Sequence, residues 1–575
     1  MQASTVKIQE VFLSNLVLKI PYFQRSYVWK EENWERFLQD MLDLPETQEN
    51  YFLGSVILKK SGINDLGYQQ YDVVDGQQRL TTTVLFMKLL CMMAGKNDKF
   101  KNSFMQEDVD ASVLCPNRKD APAFNSIVRL DGVGSPITGD GQVRKAFDYF
   151  KEKLNVPEIR EKANTIIRFM NNNVFFVRII VDEQENEQQI FDTINSLGQD
   201  LTTGELLKNY LFDDSTIDLY DQKWAPVFEK ATTSDYKYWN EQLTKGRLKA
   251  NNIETFFYYF MLIKMQDKNL RSSLTTGEKK QYRKQEGLFE SYKCLIRKHD
   301  LEKNALINEI VEYAKMYHDS FNQSVLEEAL VKHPGVKRLS FIMFAQGAWT
   351  PVPYILYILK NVSSQEEQLK LFEYLETYLV RRVICKSKNG NYSDLFSENL
   401  IGQGVVTYED FKAYVNDSTN RGSLLMPSDE DVKEAVDTFE CKGKNAAIIL
   451  YLIESKLNAN FLHSETYDNG YNAIDAEPLM PLKADTDKWP LTADYSEEKR
   501  EELAKTLGNH LLVRGSKLAT KKANESWTNK QHILNPLVSE LQTSQLVANA
   551  TVWNEKKIVE RNTAFGKKIV ELWKI

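Results

Sequence analysis

The densest chemistry in the sequence lies in Tyr71-Asp72-Val73-Val74-Asp75-Gly76-Gln77-Gln78-Arg79-Leu80-Thr81-Thr82. An apolar run ends in Asp-Gly, passes two glutamines and an arginine, and opens a helical pattern. Such a turn can cradle a phosphate. The first N–H groups of a helix are unpaired and partly positive, glycine lets the backbone approach closely, and Arg79 adds a bidentate donor. Asp75, at the strand end, could hold a divalent metal or orient a water. An ordinary strand–turn–helix connection with a surface arginine fits the same spacing. A second stretch, Ile20-Pro21-Tyr22-Phe23-Gln24-Arg25-Ser26-Tyr27-Val28-Trp29, sets Gln24 and Arg25 among aromatics. Alone it reads as core aromatics and a surface charge; with Arg79 it offers two Gln-Arg pairs that could converge on one anion.

These residues need elements to position them. Tyr51–Lys59 and Tyr68–Asp75 are β-rich runs, and helical spacing follows from about Leu80 to Met93. Val174–Val181 reads as another strand, followed by helical spacing at Ile190 and Ile194 with Gly198 as a C-cap. Thr202-Thr203-Gly204-Glu205 has the form of a capping box ahead of Leu206, Leu207, Tyr210 and Leu211. Residues 221–400 carry mostly helical periodicity rich in aromatics. Beyond a soft boundary at Ile401–Val406, helices are expected near Glu430–Glu440 and Ala446–Leu457, an irregular stretch at His463–Tyr495, and more helix from Glu497.

The chain has 575 residues, 42% apolar and 27% charged, the composition of a folded protein with two or three domains. Glycine (25) and proline (15) are too sparse for collagen-like or linker-rich chains. The five cysteines, Cys91, Cys115, Cys294, Cys385 and Cys441, lie at least 24 residues apart, which excludes CxxC zinc or redox motifs and fits free thiols. The first residues lack a signal-peptide pattern, and the longest apolar run, Ala446–Ile453, is too short to span a bilayer. A cytoplasmic protein with no membrane partner is expected. Net charge is −7, but from Lys505 to Ile575 twelve Lys/Arg face five Asp/Glu, a local +7 that leaves −14 on residues 1–504. A basic module on an acidic body suits contact with a polyanion; helices with solvated lysine faces suit it equally.

In order along the chain, IPYFQRSYVW, YFLGSVIL, DVVDGQQRLTT and IFDTINSLGQDLTTGELLKN resemble the N-terminal domain of GmrSD-type restriction proteins. YLVRRVIC (Tyr378–Cys385), LGNHLL (Leu507–Leu512), the spaced Asn524, Trp527 and Lys530, and WNEKKIVERNTAFGKKIVELW (Trp553–Trp573) extend the resemblance. It implies an α+β, predominantly helical chain. Residues 1–220 would be a ParB/sulfiredoxin-like nucleotide-binding domain, 221–400 a helical middle domain, and 401–575 an HNH-like DNA-binding or nuclease domain. It further implies that Asp75, Gly76, Gln77, Gln78 and Arg79 bind or hydrolyse a nucleoside triphosphate with Mg²⁺ or Mn²⁺, assisted by Gln24 and Arg25, with Asn195, Gly198, Glu205 and Lys208 beside them. Leu197 stands where the family often has Arg, and Glu205 where it has Asp.

The C-terminal resemblance departs at a chemically decisive place. The family's site begins Glu-His-x-x-Pro, where the histidine activates water for attack on a phosphodiester. Here the stretch is Ile474-Asp475-Ala476-Glu477-Pro478-Leu479-Met480-Pro481, so Glu477 and Pro481 align while Pro478 replaces the histidine. Proline neither accepts a proton nor ligates metal. Asp475 and Glu477 could still bind metal, Asn509 falls in a matched motif, and His463 or His510 could stand in for the lost base. Lys517, Lys521, Lys522, Lys530, Lys556, Lys557, Arg561, Lys567 and Lys568 could neutralise DNA phosphates, with Trp527 and Trp553 available for stacking. The expected function is NTP-dependent restriction of foreign, modified double-stranded DNA in anti-phage defence. The alternative is a nucleotide-gated DNA- or partner-binding regulator with an inactive nuclease domain; a third is a ParB-like DNA partner without turnover. A partner subunit and a homodimer both stay open.

Overall fold

A computed structural model describes residues 2–21, 24, 26–132, 134–181, 202–212, 216–229, 233–245, 248–327, 330, 335–388, 390–417, 419, 424–441, 444–457, 474–514, 525–531 and 541–575. The chain is α+β and predominantly helical, and it divides into two compact units, Met1–Asp218 and Leu219–Ile575. Residues 221–400 and 401–575 both fall within the second unit. The described residues include no helix long and apolar enough to cross a membrane.

The first unit is built on a mixed six-stranded sheet in the order β1-β6-β3-β4-β2-β5. The strands are β1 (Gln2–Lys7), β2 (Leu16–Lys19), β3 (Tyr51–Ile63), β4 (Gln69–Asp75), β5 (Leu114–Cys115) and β6 (Val174–Val181). β2, β4 and β5 run parallel, so the chain leaves all three at the same edge of the sheet. β3 lies antiparallel to β4 and parallel to β6, which brings its first half to that edge as well. Ligand clefts of open α/β sheets form where several strand ends deliver loops together in this way.

A 17-residue helix, Gln77–Met93, starts directly from β4 and packs against Gln142–Leu154, Pro157–Asn173 and Asn97–Phe104. It has no solvated stripe: from Leu80 to Met92 every side chain is buried, the mark of a helix enclosed by its neighbours. Two of its three buried threonines, Thr82 and Thr83, satisfy their hydroxyls on the carbonyls of Gln78 and Arg79 one turn earlier, at 2.8 Å each. Phe86, Phe37 and Phe150 interlock beneath it with ring centroids 5.2–6.0 Å apart. The expected capping box is formed: Glu205 N donates to Thr202 Oγ1 (3.2 Å), and Thr202 N to Glu205 Oε2 (2.9 Å), opening the helix Thr203–Leu211. The helix expected around Ile190–Gly198 lies outside the described residues.

The second unit is mostly helical. Two small pairings depart from expectation: a hairpin of β7 (Gln242–Lys245) and β8 (Leu248–Asn251) in the helical stretch, and β9 (Ile474–Pro478) antiparallel to β10 (His510–Arg514) nearer the C-terminus. Strands this short have no alternating pattern to reveal them, and β9 carries two carboxylates in five residues. The YLVRRVIC arginines hold this unit together. Buried Arg381 donates to the Trp573 carbonyl (2.7 Å), the Pro427 carbonyl (3.0 Å) and Asp429 Oδ1 (2.8 Å). One turn of helix earlier on the opposite side, Glu376 receives a two-point contact from Arg338 (2.7 and 2.9 Å) and the Trp573 indole N–H (2.9 Å).

The turn from β4 into its helix depends on Gly76, which sits at φ +95° with its absent Cβ only 3.0 Å from the Ser55 carbonyl oxygen. Gly76→Ala is therefore expected to lower stability by about 2 kcal/mol or more, through left-handed strain plus the contact with β3. An unchanged urea midpoint would show that the turn is not held in this conformation.

Candidate functional site

The sheet edge where β2, β4 and β5 end carries most of the residues singled out in the N-terminal half. Arg79 projects from the first turn of its helix over Gly54 of β3, where an added Cβ would meet Nη1 at 2.6 Å. Its Nη2 donates to the Ser55 carbonyl (2.8 Å) and to Asp75 Oδ2 (3.0 Å). Its Nε is buried and has no acceptor among the described residues. The N-cap position is Gly76 itself, which has no side chain with which to cap the helix. The turn thus presents a helix N-terminus with glycine at its cap position, a guanidinium with a donor to spare, and a carboxylate holding that guanidinium in place.

The two glutamines predicted to face a ligand do something else. Gln78 is buried; its Oε1 accepts from Val28 N (2.9 Å) and its Nε2 donates to the Ser26 carbonyl (3.2 Å). Gln24 is also buried, and its Nε2 donates to the carbonyls of Val73 (2.6 Å) and Val74 (3.2 Å) at the end of β4. Each glutamine satisfies the backbone of the other's segment, so both position the site and neither offers a free amide to it. Gln77 is partly buried at the helix start. Lys208 is buried on its own helix. Arg25, Asn195 and Gly198 lie outside the described residues.

Residues not foreseen complete this edge. Tyr27 donates its N–H to Asp120 Oδ2 (2.7 Å), its hydroxyl lies 2.6 Å from Thr82 Oγ1, and Trp34 Nε1 donates to that hydroxyl (3.0 Å). Asp120 follows β5, so loops after all three parallel strands are tied together. The interruption of YFLGSVIL by Gly54 was a readable sign of close approach, since an isolated glycine in a strand marks a bulge. Nothing in the sequence marked Asp120.

In the C-terminal part, β9 and β10 set Glu477 opposite Leu511 and Pro478 opposite His510. Burial, reinforced by nearby Asp475, raises the pKa of Glu477, while Lys530 opposes the rise. Lys530 is itself buried; its ammonium donates to the carbonyls of Leu479 (2.9 Å) and Pro478 (3.3 Å), and burial pulls its pKa down to about 8. Asn509 is fully enclosed. Its amide donates to Met480 O and Ala504 O (2.8 Å each), and its oxygen accepts from Met480 N (2.8 Å) and the Trp553 indole (3.1 Å).

A family model described as the N-terminal domain of GmrSD restriction endonuclease matches residues 8–212. A second, the C-terminal domain of GmrSD restriction endonucleases, matches residues 426–568. The chain belongs to the GmrSD restriction endonuclease family. No curated protein matches it. Membership brings a restriction and defence function and DNA as the substrate class.

Within this GmrSD chain, two expected DNA contacts are corrected. Arg561 is buried and spends its guanidinium on the carbonyls of Gly508 (2.8 Å), His510 (2.7 Å) and Thr543 (3.0 Å). With Lys530 it serves the interior, because each cation stands where a folded backbone has left several carbonyls in need of donors. Lys556, Lys557 and Lys568 are exposed in part but paired with Asp494, Glu560 and Glu571. Lys517, Lys521 and Lys522 lie outside the described residues, as does His463. His510 is buried with Nδ1 2.8 Å from the Thr506 carbonyl, and burial lowers its pKa. Asn509 is a fully bonded structural amide with no group left for a substrate. Among the described residues no three His, Cys, Asp or Glu side chains converge on a metal-sized site, so Asp75 and Glu477 would each need ligands from elsewhere.

The burial of Asp120 has a measurable consequence. Burial pushes Asp120 up to about 6, against the lowering effect of the Tyr27 N–H. Between about pH 4 and 6 the folded chain then holds a proton that the unfolded chain releases. Stability should fall as pH rises through that window, by roughly 3 kcal/mol in all. Asp120→Asn keeps an acceptor for Tyr27 and should remove this slope. Urea midpoints of both proteins from pH 4 to 7 test it, and parallel curves would refute the assignment.

Proposed function

We propose that this GmrSD-family chain restricts DNA, directed at modified foreign DNA, under control of a nucleoside triphosphate seated at the Gly76 turn. The observation that carries the proposal is the buried Arg79 Nε, a donor without an acceptor among the described residues, beside a helix N-terminus whose cap position is a glycine. A phosphate group suits that pairing: it supplies acceptors for the guanidinium and negative charge for the helix end. Gly76 and Gly54 leave room for close approach, since neither has a Cβ to fill the turn. Asp75 would orient Arg79 and share in holding Mg²⁺ or Mn²⁺ brought with the phosphates, and Gln78 and Gln24 would keep the flanking loop closed. Bound nucleotide would supply the free energy of hydrolysis. Arg25, Asn195 and Lys208 remain proposed second-rank contacts.

Arg79→Ala should weaken nucleotide binding 10- to 100-fold, the loss expected for a charge-assisted hydrogen bond of about 1.5–3 kcal/mol, without unfolding the chain. Titration calorimetry with ATP and GTP, alongside phosphate release and cleavage of plain and base-modified DNA, would read this. Wild-type binding and turnover in the variant would misplace the pocket.

A second function, nucleotide-gated binding without cleavage, is favoured by one feature. Pro478 ends β9 where a general base is needed, and the histidine across from it is buried and tied to a carbonyl. Glu477, Lys521 and Lys522 would then serve DNA or partner binding. Pro478→His is expected to confer or increase Mn²⁺-dependent nicking of plasmid DNA. Nicking by the native chain as fast as by the variant would dismiss this second function.

A further inference from the structure

The second unit holds a cavity of about 850 Å³ in the stretch between the two segments matched by the family models. Its walls are the end of the helix Asn252–Lys264, the helices Lys268–Ser273 and Thr276–Tyr282, the faces of Lys303–Ser320 and Val352–Asn361, and the loop 401–404. Five cations and two carboxylates line it. The carboxylates are already committed: Lys264 pairs with Glu309 at 2.6 Å and Asp267 at 3.7 Å. Asp267 also caps the next helix through the N–H groups of Asn269 and Leu270. Lys360 pairs with Glu312 outside the lining. Lys268, Arg271 and Lys279 have no carboxylate partner among the described residues.

Arg271 is fixed in the wall by Nη1 donating to the Gly402 carbonyl at 2.6 Å, an approach possible because a Cβ on Gly402 would lie 2.2 Å from that nitrogen. Beside it, Gln266 presents a buried Oε1 with no donor among the described residues. Tyr313 and Tyr357 supply aromatic surface, and burial raises both phenol pKa values, so the rings stay neutral. The size is that of a small-ligand pocket. Uncompensated cations, flat neutral rings and carboxamides in one such pocket match a ligand that is anionic at one end and planar and polar at the other.

We propose that this cavity is a second nucleotide site, with the phosphates on Lys268, Arg271 and Lys279 and the base against Tyr357. It is independent of the Gly76 turn. The test uses the full chain, with ADP and pyrophosphate as probes in titration calorimetry. In an Arg79→Ala background ADP should still bind one site. Adding Lys268→Glu and Lys279→Glu should weaken ADP and pyrophosphate at least 10-fold. Tyr357→Leu should weaken ADP while leaving pyrophosphate unchanged. Circular dichroism melts confirm that each variant is folded. ADP binding that is lost with Arg79→Ala alone, or that survives the charge reversal intact, overturns this site. Binding that is lost only with the charge reversal upholds it while removing nucleotide from the Gly76 turn.

Discussion

Gln78 closes the N-terminal edge by bonding, through both ends of one carboxamide, to the backbone of Ser26 and Val28 some fifty residues away. Gln24 returns the contact to the end of β4. Two extended segments with unpaired backbone groups would be costly to bury side by side, and a reciprocal pair of carboxamides removes that cost. With the loop held, Tyr27 reaches Thr82 and Asp120, and the three parallel strand ends become one rigid rim. Arg79 is the group this rim leaves with bonding capacity unspent. A loop that moved independently would let water reach the helix end and would dissipate the local positive potential on which any phosphate contact there depends.

The same economy governs the second unit, with arginine in place of glutamine. Arg381 gathers two carbonyls and a carboxylate from two distant parts of the chain, and Arg561 gathers three carbonyls. A guanidinium suits this task because its five donors lie in one plane and stay charged when buried. Asn509 does the equivalent between β10 and the turn after β9, with four bonds on one carboxamide. Polar residues in a stretch that resembles a family motif can thus be the ones that close the interior, so matching a motif and contacting substrate are separate properties.

This is why the sequence conveyed some features well and others poorly. Long regular elements were legible: β6 spans Val174–Val181 as expected, the helix after β4 ends at Met93, and the box at Thr202 and Glu205 is formed. Each is set by neighbours within a few positions, which periodicity and capping chemistry report. The burial of Lys530 and Arg561 was not legible, because a lysine or arginine amid polar residues reads as solvated until the fold reveals which carbonyls surround it. Glutamines in a turn likewise read as ligand donors when their partners lie fifty residues distant. The pairing of β9 with β10 depends on 31 intervening positions that no local pattern encodes.

The sheet order has a temporal corollary. Among the described residues β1 pairs only with β6, and β3 also takes β6 as its second neighbour, so residues 2–7 have no described strand partner until 174–181 have been made. During synthesis β1 must therefore stay uncommitted until some 170 further residues have been made. The cost of closing that long loop falls late, after the helices have had time to collapse onto β3 and β4. Made before the strands it joins, β1 is among the last of them to find its place.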